Sequence, residues 1–158
     1  MKHQEFEQRI EKYLKRQFGI TITVASKRQV YEALMNTVRE KLSEKKFAYE
    51  QELKKTKQKR AYYMSMEFLV GRTLRNNLFN LGIEKETKEY LEKNNFNLDE
   101  IYDIEPDPGL GNGGLGRLAS CYLDALTSSD YPVTGFSILY EYGIFKQVIN
   151  NGWQQEFP

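Results

Sequence analysis

The sequence predicts an α/β fold, and three observations carry that expectation. An amphipathic helical pattern follows a capping signal at Ser26. Short β-branched or aromatic stretches at Ala61–Met66 and beyond Val133 read as strands. Between them, a glycine-dense turn at Gly109–Gly116 runs straight into the strongest helical periodicity in the chain.

The elements follow in order. Residues 4–18 carry Phe6, Ile10, Tyr13 and Leu14 at helical spacing among charges, and Gly19 is a plausible stop. Thr21–Val24 is a short β-branched stretch. Ser26 with Gln29 three residues on forms a capping box. In the helix that follows, Val30, Leu34, Val38 and Leu42 share one side, flanked by Tyr31 and Met35. Arg28, Glu32, Asn36, Arg39 and Glu40 take the other. The basic run Lys54–Arg60 reads as a solvated face or loop.

After the strand Ala61–Met66, the positions Leu74, Leu78, Phe79 and Leu81 predict a helix ending at Gly82, and Glu84–Lys93 predicts another. Asn94–Ile104 is polar, with apolar punctuation at Phe96, Leu98, Ile101 and Tyr102. Glu105-Pro106-Asp107-Pro108 fits neither a helix nor a central strand. Beyond the glycine turn, Leu115, Leu118, Ala119, Tyr122, Leu123 and Leu126 mark a helix, with Cys121 expected on its apolar side as a buried small hydrophobe. Val133–Tyr140 and Ile144–Ile149 read as two strands separated by Glu141-Tyr142-Gly143. The sequence stops at Glu156-Phe157-Pro158 with no closing element expected after the last strand, which raises the expectation of a truncated domain.

Composition narrows the function. The 158 residues carry 23 Lys and Arg against 22 Asp and Glu, a net charge of +1. That balance gives no argument for a nucleic acid or an anionic membrane as partner. One cysteine excludes an intrachain disulfide and fits a reducing, cytoplasmic compartment. No apolar run approaches the roughly 18 residues of a membrane span. The single histidine, His3, excludes a Ser-His-Asp or Cys-His centre and any multi-histidine metal site built from this chain alone.

Five of the eleven glycines lie in Gly109–Gly116. Such density removes Cβ atoms where a backbone turns sharply or approaches a ligand. The helix beginning there leaves free N–H groups at its first turn, which with the helix dipole can hold an anion. Gly109, Gly111 and Gly114 satisfy G-x-G-x-x-G, but Glu105–Pro108 stands where a dinucleotide fingerprint needs an apolar strand. Gly116-Arg117-Leu118 lacks the Gly-Lys-Ser/Thr of a Walker loop. A plain loop before a helix and a phosphate-cradling helix start of another kind stay open on local physics.

Residues 105–119, from Glu105-Pro106-Asp107-Pro108 through Gly109-Leu110-Gly111-Asn112-Gly113-Gly114-Leu115-Gly116-Arg117-Leu118-Ala119, closely resemble the glycine loop of glycogen, starch and maltodextrin phosphorylases. Residues 62–74 (Tyr62-Tyr63-Met64-Ser65-Met66-Glu67-Phe68-Leu69-Val70-Gly71-Arg72-Thr73-Leu74) resemble that family's strand–glutamate–helix segment. Residues 140–147 with Gly152-Trp153-Gln154 resemble the stretch downstream of the loop. The likeness runs from about Ala25 to Pro158.

The resemblance implies the amino-terminal part of a two-domain, GT-B-like phosphorylase fold, incomplete in this chain. Residues 1–24 would be an amino-terminal helix and connector, and 25–158 a partial α/β domain. It implies a glycosyltransferase that cleaves terminal α-1,4-linked glucose from a glucan with inorganic phosphate, giving α-glucose 1-phosphate. Pyridoxal phosphate would be the cofactor, its phosphate group relaying the proton. Gly113 and Gly114 would present N–H groups to the phosphate region, Leu115 would lie against glucose through its backbone, and Asn112 would shape the loop or touch ligand. Glu67 would line the same site as an acidic catalytic group, or else pair with Arg72 or Arg75. Tyr62 and Tyr63 are expected in sheet packing, and Tyr142 and Trp153 in structural roles or at the cleft border.

The chain also departs from the family. The lysine that forms the cofactor imine belongs to the family's carboxy-terminal domain and has no counterpart here, so this chain alone is expected to be inactive and not to retain pyridoxal phosphate. No serine precedes the first matching helix, and Gln51-Glu52-Leu53-Lys54-Lys55 lacks the aromatic residue of nucleotide-regulated members. Neither a phosphorylation switch nor strong AMP activation is expected. Leu69 stands where animal members carry a tyrosine, pointing to the bacterial type. A homodimer is implied for the full-length enzyme. A non-catalytic glucan-binding or partner-pairing subdomain is the alternative reading.

Overall fold

Apolar spacing at four-residue intervals sets the first helix. Phe6, Ile10 and Leu14 recur along α1 (His3–Phe18) and are all buried. A computed structural model describes residues 3–141 and 145–157; Tyr142, Gly143 and Ile144 of the expected downstream motif, and Pro158, lie outside the described residues. The chain divides into two units, residues 1–51 with 72–106, and residues 52–71 with 107–158.

The first unit is helical. Gly19 ends α1 with φ +69°, and its N–H reaches the Lys15 carbonyl at 3.1 Å. That is the left-handed stop glycine makes without steric cost. The β-branched Ile22–Val24 forms a single 3-10 turn, pinned by the 2.8 Å contact between the Thr21 and Thr23 hydroxyls, with Ile22 buried. The capping box forms as expected at the start of α2 (Lys27–Thr56). The Ser26 N–H donates to Gln29 Oε1 at 2.9 Å, and the Gln29 N–H donates to Ser26 Oγ at 3.3 Å.

Val30, Ala33, Leu34 and Val38 of α2 are buried, whereas Leu42 is 38% exposed, so the core-facing stripe ends one turn earlier than its spacing predicts. The basic run begins as the last helical turn of α2 and continues as exposed chain, as expected of a solvated segment.

Three short helices complete this unit: α3 (Leu74–Asn80), α4 (Glu84–Lys93) and α5 (Leu98–Ile104). Gly82, at φ +67°, closes α3, its N–H on the Phe79 carbonyl and the Ile83 N–H on the Leu78 carbonyl. This Schellman geometry places buried Ile83 beside buried Leu78. Asn95 closes α4 the same way at φ +63°. The α5 helix was not expected from the polar stretch 94–104. It starts because Asn97 Oδ1 accepts the Asp99 N–H at 2.8 Å, and it is held by buried Leu98 and Ile101. Leu74, Leu78, Leu91 and Ile101 join Ile10, Leu14 and Leu34 in one core.

The second unit holds the strands. β1 (Ala61–Met64) pairs in parallel with β2 (Val133–Phe136), Ala61 opposite Val133 and Met64 opposite Phe136. Parallel pairing requires a crossover, and α6 (Gly114–Ser128) lies on it. Asp130 at φ +56° returns the chain from α6 to β2. Tyr63 packs edge-on against Phe68 and Tyr122, and Tyr62 lies on Phe136, so both tyrosines serve the sheet. β2 stops at Phe136 and not at Tyr140, because Ser137 and Tyr140 turn their hydroxyls to the Met66 carbonyl.

β3 (Lys146–Asn150) and β4 (Trp153–Phe157) form an antiparallel hairpin, so the described chain does contain an element after the last expected strand. Asn151 at φ +51° and Gly152 at φ +81° make the tight two-residue turn whose twist suits adjacent strands. Trp153 sits on this hairpin, 77% exposed. Cys121 is exposed and not buried as expected. Gly116, Ala119 and Ser120 are the buried positions of α6, and Cys121 lies off that side of the helix. The mixed helices and small sheets agree with the α/β class.

Candidate functional site

The site grows from a backbone that two glycines allow to close up. The segment Glu67–Leu69 leaves β1 and runs against the glycine turn. The Phe68 N–H donates to the Leu110 carbonyl at 2.8 Å, and the Leu69 N–H to the Gly116 carbonyl at 3.0 Å. Arg117 Nη1 adds a 3.4 Å bond to the Leu69 carbonyl. A Cβ at Gly111 would stand 2.6 Å from the Leu69 nitrogen, and one at Gly116 would stand 2.8 Å from Glu67 Oε2. Those two glycines exist for close approach of one chain segment to another.

Gly113 and Gly114 differ from them. Nothing lies within 4 Å of a Cβ at either position. Gly113 is the extended N-cap of α6, at φ −145° and ψ −167°, and no side chain caps the helix. The first main-chain bond of the helix is Arg117 N–H to the Gly113 carbonyl at 3.0 Å. The N–H groups of Gly114, Leu115 and Gly116 therefore have no intrahelical acceptor. Upstream, the Gly109 N–H closes on Asp107 Oδ1 at 2.9 Å, with Gly109 at φ +63°. The loop is thus fixed at its base and open at its crest.

The residues expected at the site are distributed as follows. Glu67 is half-buried, and its Oε2 accepts the Asn112 N–H at 3.4 Å, so the structure brings these two together. Gly113 and Gly114 begin α6, and Leu115 occupies its first turn with a side chain 70% exposed. Within the first unit Arg72 pairs with Asp103 at 3.3 Å, and Arg75 pairs with Glu84 at 3.8 Å and covers the Tyr102 ring. Both arginines proposed as salt-bridge partners of Glu67 thus have acidic partners of their own.

Sequence reasoning missed the supports. Ser65 Oγ donates to the Glu67 carbonyl at 2.8 Å and accepts the Glu67 N–H at 3.3 Å, while Ser137 and Tyr140 hold the Met66 carbonyl. Hydroxyls more than seventy residues downstream leave no local signal at Met66. The division of the glycines into packing and open positions is likewise invisible without Leu69 and Glu67 in place.

Chemically, an uncapped helix start with open N–H groups accommodates an anion, most naturally phosphoryl or carboxylate oxygens. Among the described residues no cluster of His, Cys, Asp and Glu could hold a metal ion, and no helix is long and apolar enough to cross a membrane.

Comparison with known proteins follows the same segments. Residues 91–158 match the family model described as carbohydrate phosphorylase. A glycogen phosphorylase of Chlamydia pneumoniae is 46% identical over 134 residues, 85% of this chain and 16% of that protein. The brain form of glycogen phosphorylase from Bos taurus is 45% identical, and the human liver form 44%, each over 133 residues, 84% of this chain and 16% of theirs. The chain therefore spans about 16% of the length of the relatives it matches, bacterial and mammalian alike.

Proposed function

Because this chain belongs to the carbohydrate phosphorylase family, we propose that it contributes the phosphate-facing wall of an active site that phosphorolyses terminal α-1,4-linked glucose from a glucan. The observation that carries this reading is the uncapped start of α6 beside Glu67. Gly113 and Gly114, open to solvent, direct the first-turn N–H groups toward phosphate oxygens. These donors are held rigid by the Phe68 and Leu69 bonds, so little reorganisation accompanies charge development on the transferred group. Leu115 offers its backbone to the glucose ring, Asn112 shapes the crest, and Glu67 lines the site as its acid.

Inorganic phosphate, a glucan and α-glucose 1-phosphate are the proposed ligands, and pyridoxal phosphate the cofactor of the whole enzyme. That cofactor supplies a phosphate group as proton relay when bound. The donor set around α6 suits phosphoryl oxygens, but among the described residues no lysine is hydrogen-bonded to the loop, so these residues do not fit the cofactor's imine. A cytoplasmic homodimer is proposed for the whole enzyme.

The test is to add pyridoxal phosphate to the purified 158-residue chain and then titrate α-glucose 1-phosphate by calorimetry. Saturable binding of α-glucose 1-phosphate that glucose does not reproduce, with no imine absorbance, is expected. Absence of phosphate-dependent binding, or a stable imine band with phosphorolysis, contradicts the reading.

A further inference from the structure

The acid at the site is held through its backbone, and the residues holding it lie far along the chain. The peptide joining Met66 to Glu67 is gripped at both ends. Its carbonyl accepts Ser137 Oγ at 3.1 Å and Tyr140 Oη at 3.2 Å, filling both lone-pair directions. Its N–H donates to Ser65 Oγ at 3.3 Å, and the same hydroxyl donates onward to the Glu67 carbonyl at 2.8 Å. The plane of this peptide sets the direction of the Glu67 Cα–Cβ bond. That direction leaves Oε2 at 3.4 Å from the Asn112 nitrogen and 2.8 Å from where a Gly116 Cβ would stand.

From this geometry we infer that Ser137 and Tyr140 are positioning residues for Glu67. They turn its carboxylate onto the Asn112 N–H, beside the first turn of α6. The inference deepens the proposed function and rests on it for the meaning of Glu67, though not for the hydrogen bonds themselves. Ser65 belongs to the bend itself and would act whatever β2 did. Ser137 and Tyr140 follow β2, so they couple the exit of that strand to the orientation of the acid.

The experiment compares the Asn112 amide resonance of the ¹⁵N-labelled wild-type chain with that of its variants. Glu67→Gln shifts this resonance, which assigns its position to the bond with the carboxylate. In the double variant Ser137→Ala/Tyr140→Phe, Asn112 moves toward its Glu67→Gln position while amides at the carboxy-terminal end of α6 keep their wild-type positions. Ser137→Thr, which keeps a hydroxyl, leaves Asn112 at its wild-type position. Both hydroxyl-bearing side chains have exposed atoms in these bonds, and each single variant serves if the double one unfolds. An Asn112 resonance unchanged from the wild type in the folded double variant overturns the inference. A wild-type chain whose Asn112 amide follows Glu67 but whose α6 amides ignore added phosphate supports the positioning and counts only against the proposed function.

Discussion

Replacing Gly111 by alanine will destabilise the second unit, whereas the same change at Gly113 will not. At Gly111 the new Cβ would meet the Leu69 nitrogen at 2.6 Å and the Leu69 Cα and Cβ at 2.9 Å each. These are backbone and root atoms, so no rotamer change relieves the clash. The Leu69 segment cannot retreat without stretching its 3.0 Å bond to Gly116 or the neighbouring 2.8 Å bond from Phe68 to Leu110. Overpacking costs about 1–3 kcal/mol, and a lost main-chain bond costs about 1 kcal/mol more. A total of roughly 2–4 kcal/mol follows for Gly111→Ala. Gly113 has an extended backbone and nothing near its Cβ, so Gly113→Ala should stay within about 1 kcal/mol. Gly116→Ala should fall between, because a helical gain of about 1 kcal/mol offsets part of its clash with Glu67. Urea unfolding followed on α6 amide resonances measures all three. Equal stability of the Gly111 and Gly113 variants would refute the division of the loop into packing and open glycines.

Glu105 is buried, and its carboxylate takes the Thr73 N–H at 2.8 Å, the Thr73 hydroxyl at 3.2 Å and the Leu74 N–H at 3.0 Å, capping α3 from another part of the chain. Glu105→Ala should cost about 2–3 kcal/mol and Glu105→Gln less, read by thermal unfolding; equal losses would show that the charge and its geometry do not matter. Burial, reinforced by Glu11 beside Tyr90 and Glu84 beside Tyr102, pushes both tyrosines above their ordinary value of 10.0. A folded pKa above the unfolded one gives stability that is complete below about pH 10 and is lost as pH climbs further. The unfolding midpoint should therefore fall above that point, and Tyr90→Phe with Tyr102→Phe should flatten the decline. Exposed Cys121 should react with a thiol reagent in the folded chain at a rate close to that in urea; a strongly protected thiol would restore the burial its helical position first implied.

Much of the fold was legible because its signals are local. The Ser26–Gln29 box, the Gly19 and Gly82 stops and the limits of α4 each depend on residues within one or two turns. Two misses were readable in principle. Asn97 before Leu98 and Ile101 is a cap with a short apolar stripe, and Asn151-Gly152 is a two-residue hairpin turn signal. The rest was beyond any window. Glu105 caps a helix thirty-one residues upstream, Ser137 and Tyr140 reach back to Met66, and Gly111 and Gly116 are explained only by the segment pressed against them. At the site, residue types and spacing pointed to an anion-binding helix start, while the arrangement that holds Glu67 needed the tertiary structure.

The central claim concerns the open donors at the start of α6, and amide spectroscopy reaches them directly. Titrating inorganic phosphate into the ¹⁵N-labelled chain should move the exposed Gly114 and Leu115 amides in a saturable way, with the α4 amides still. Phosphate shifts scattered over the basic exposed surface, with these two amides unmoved, would contradict the account.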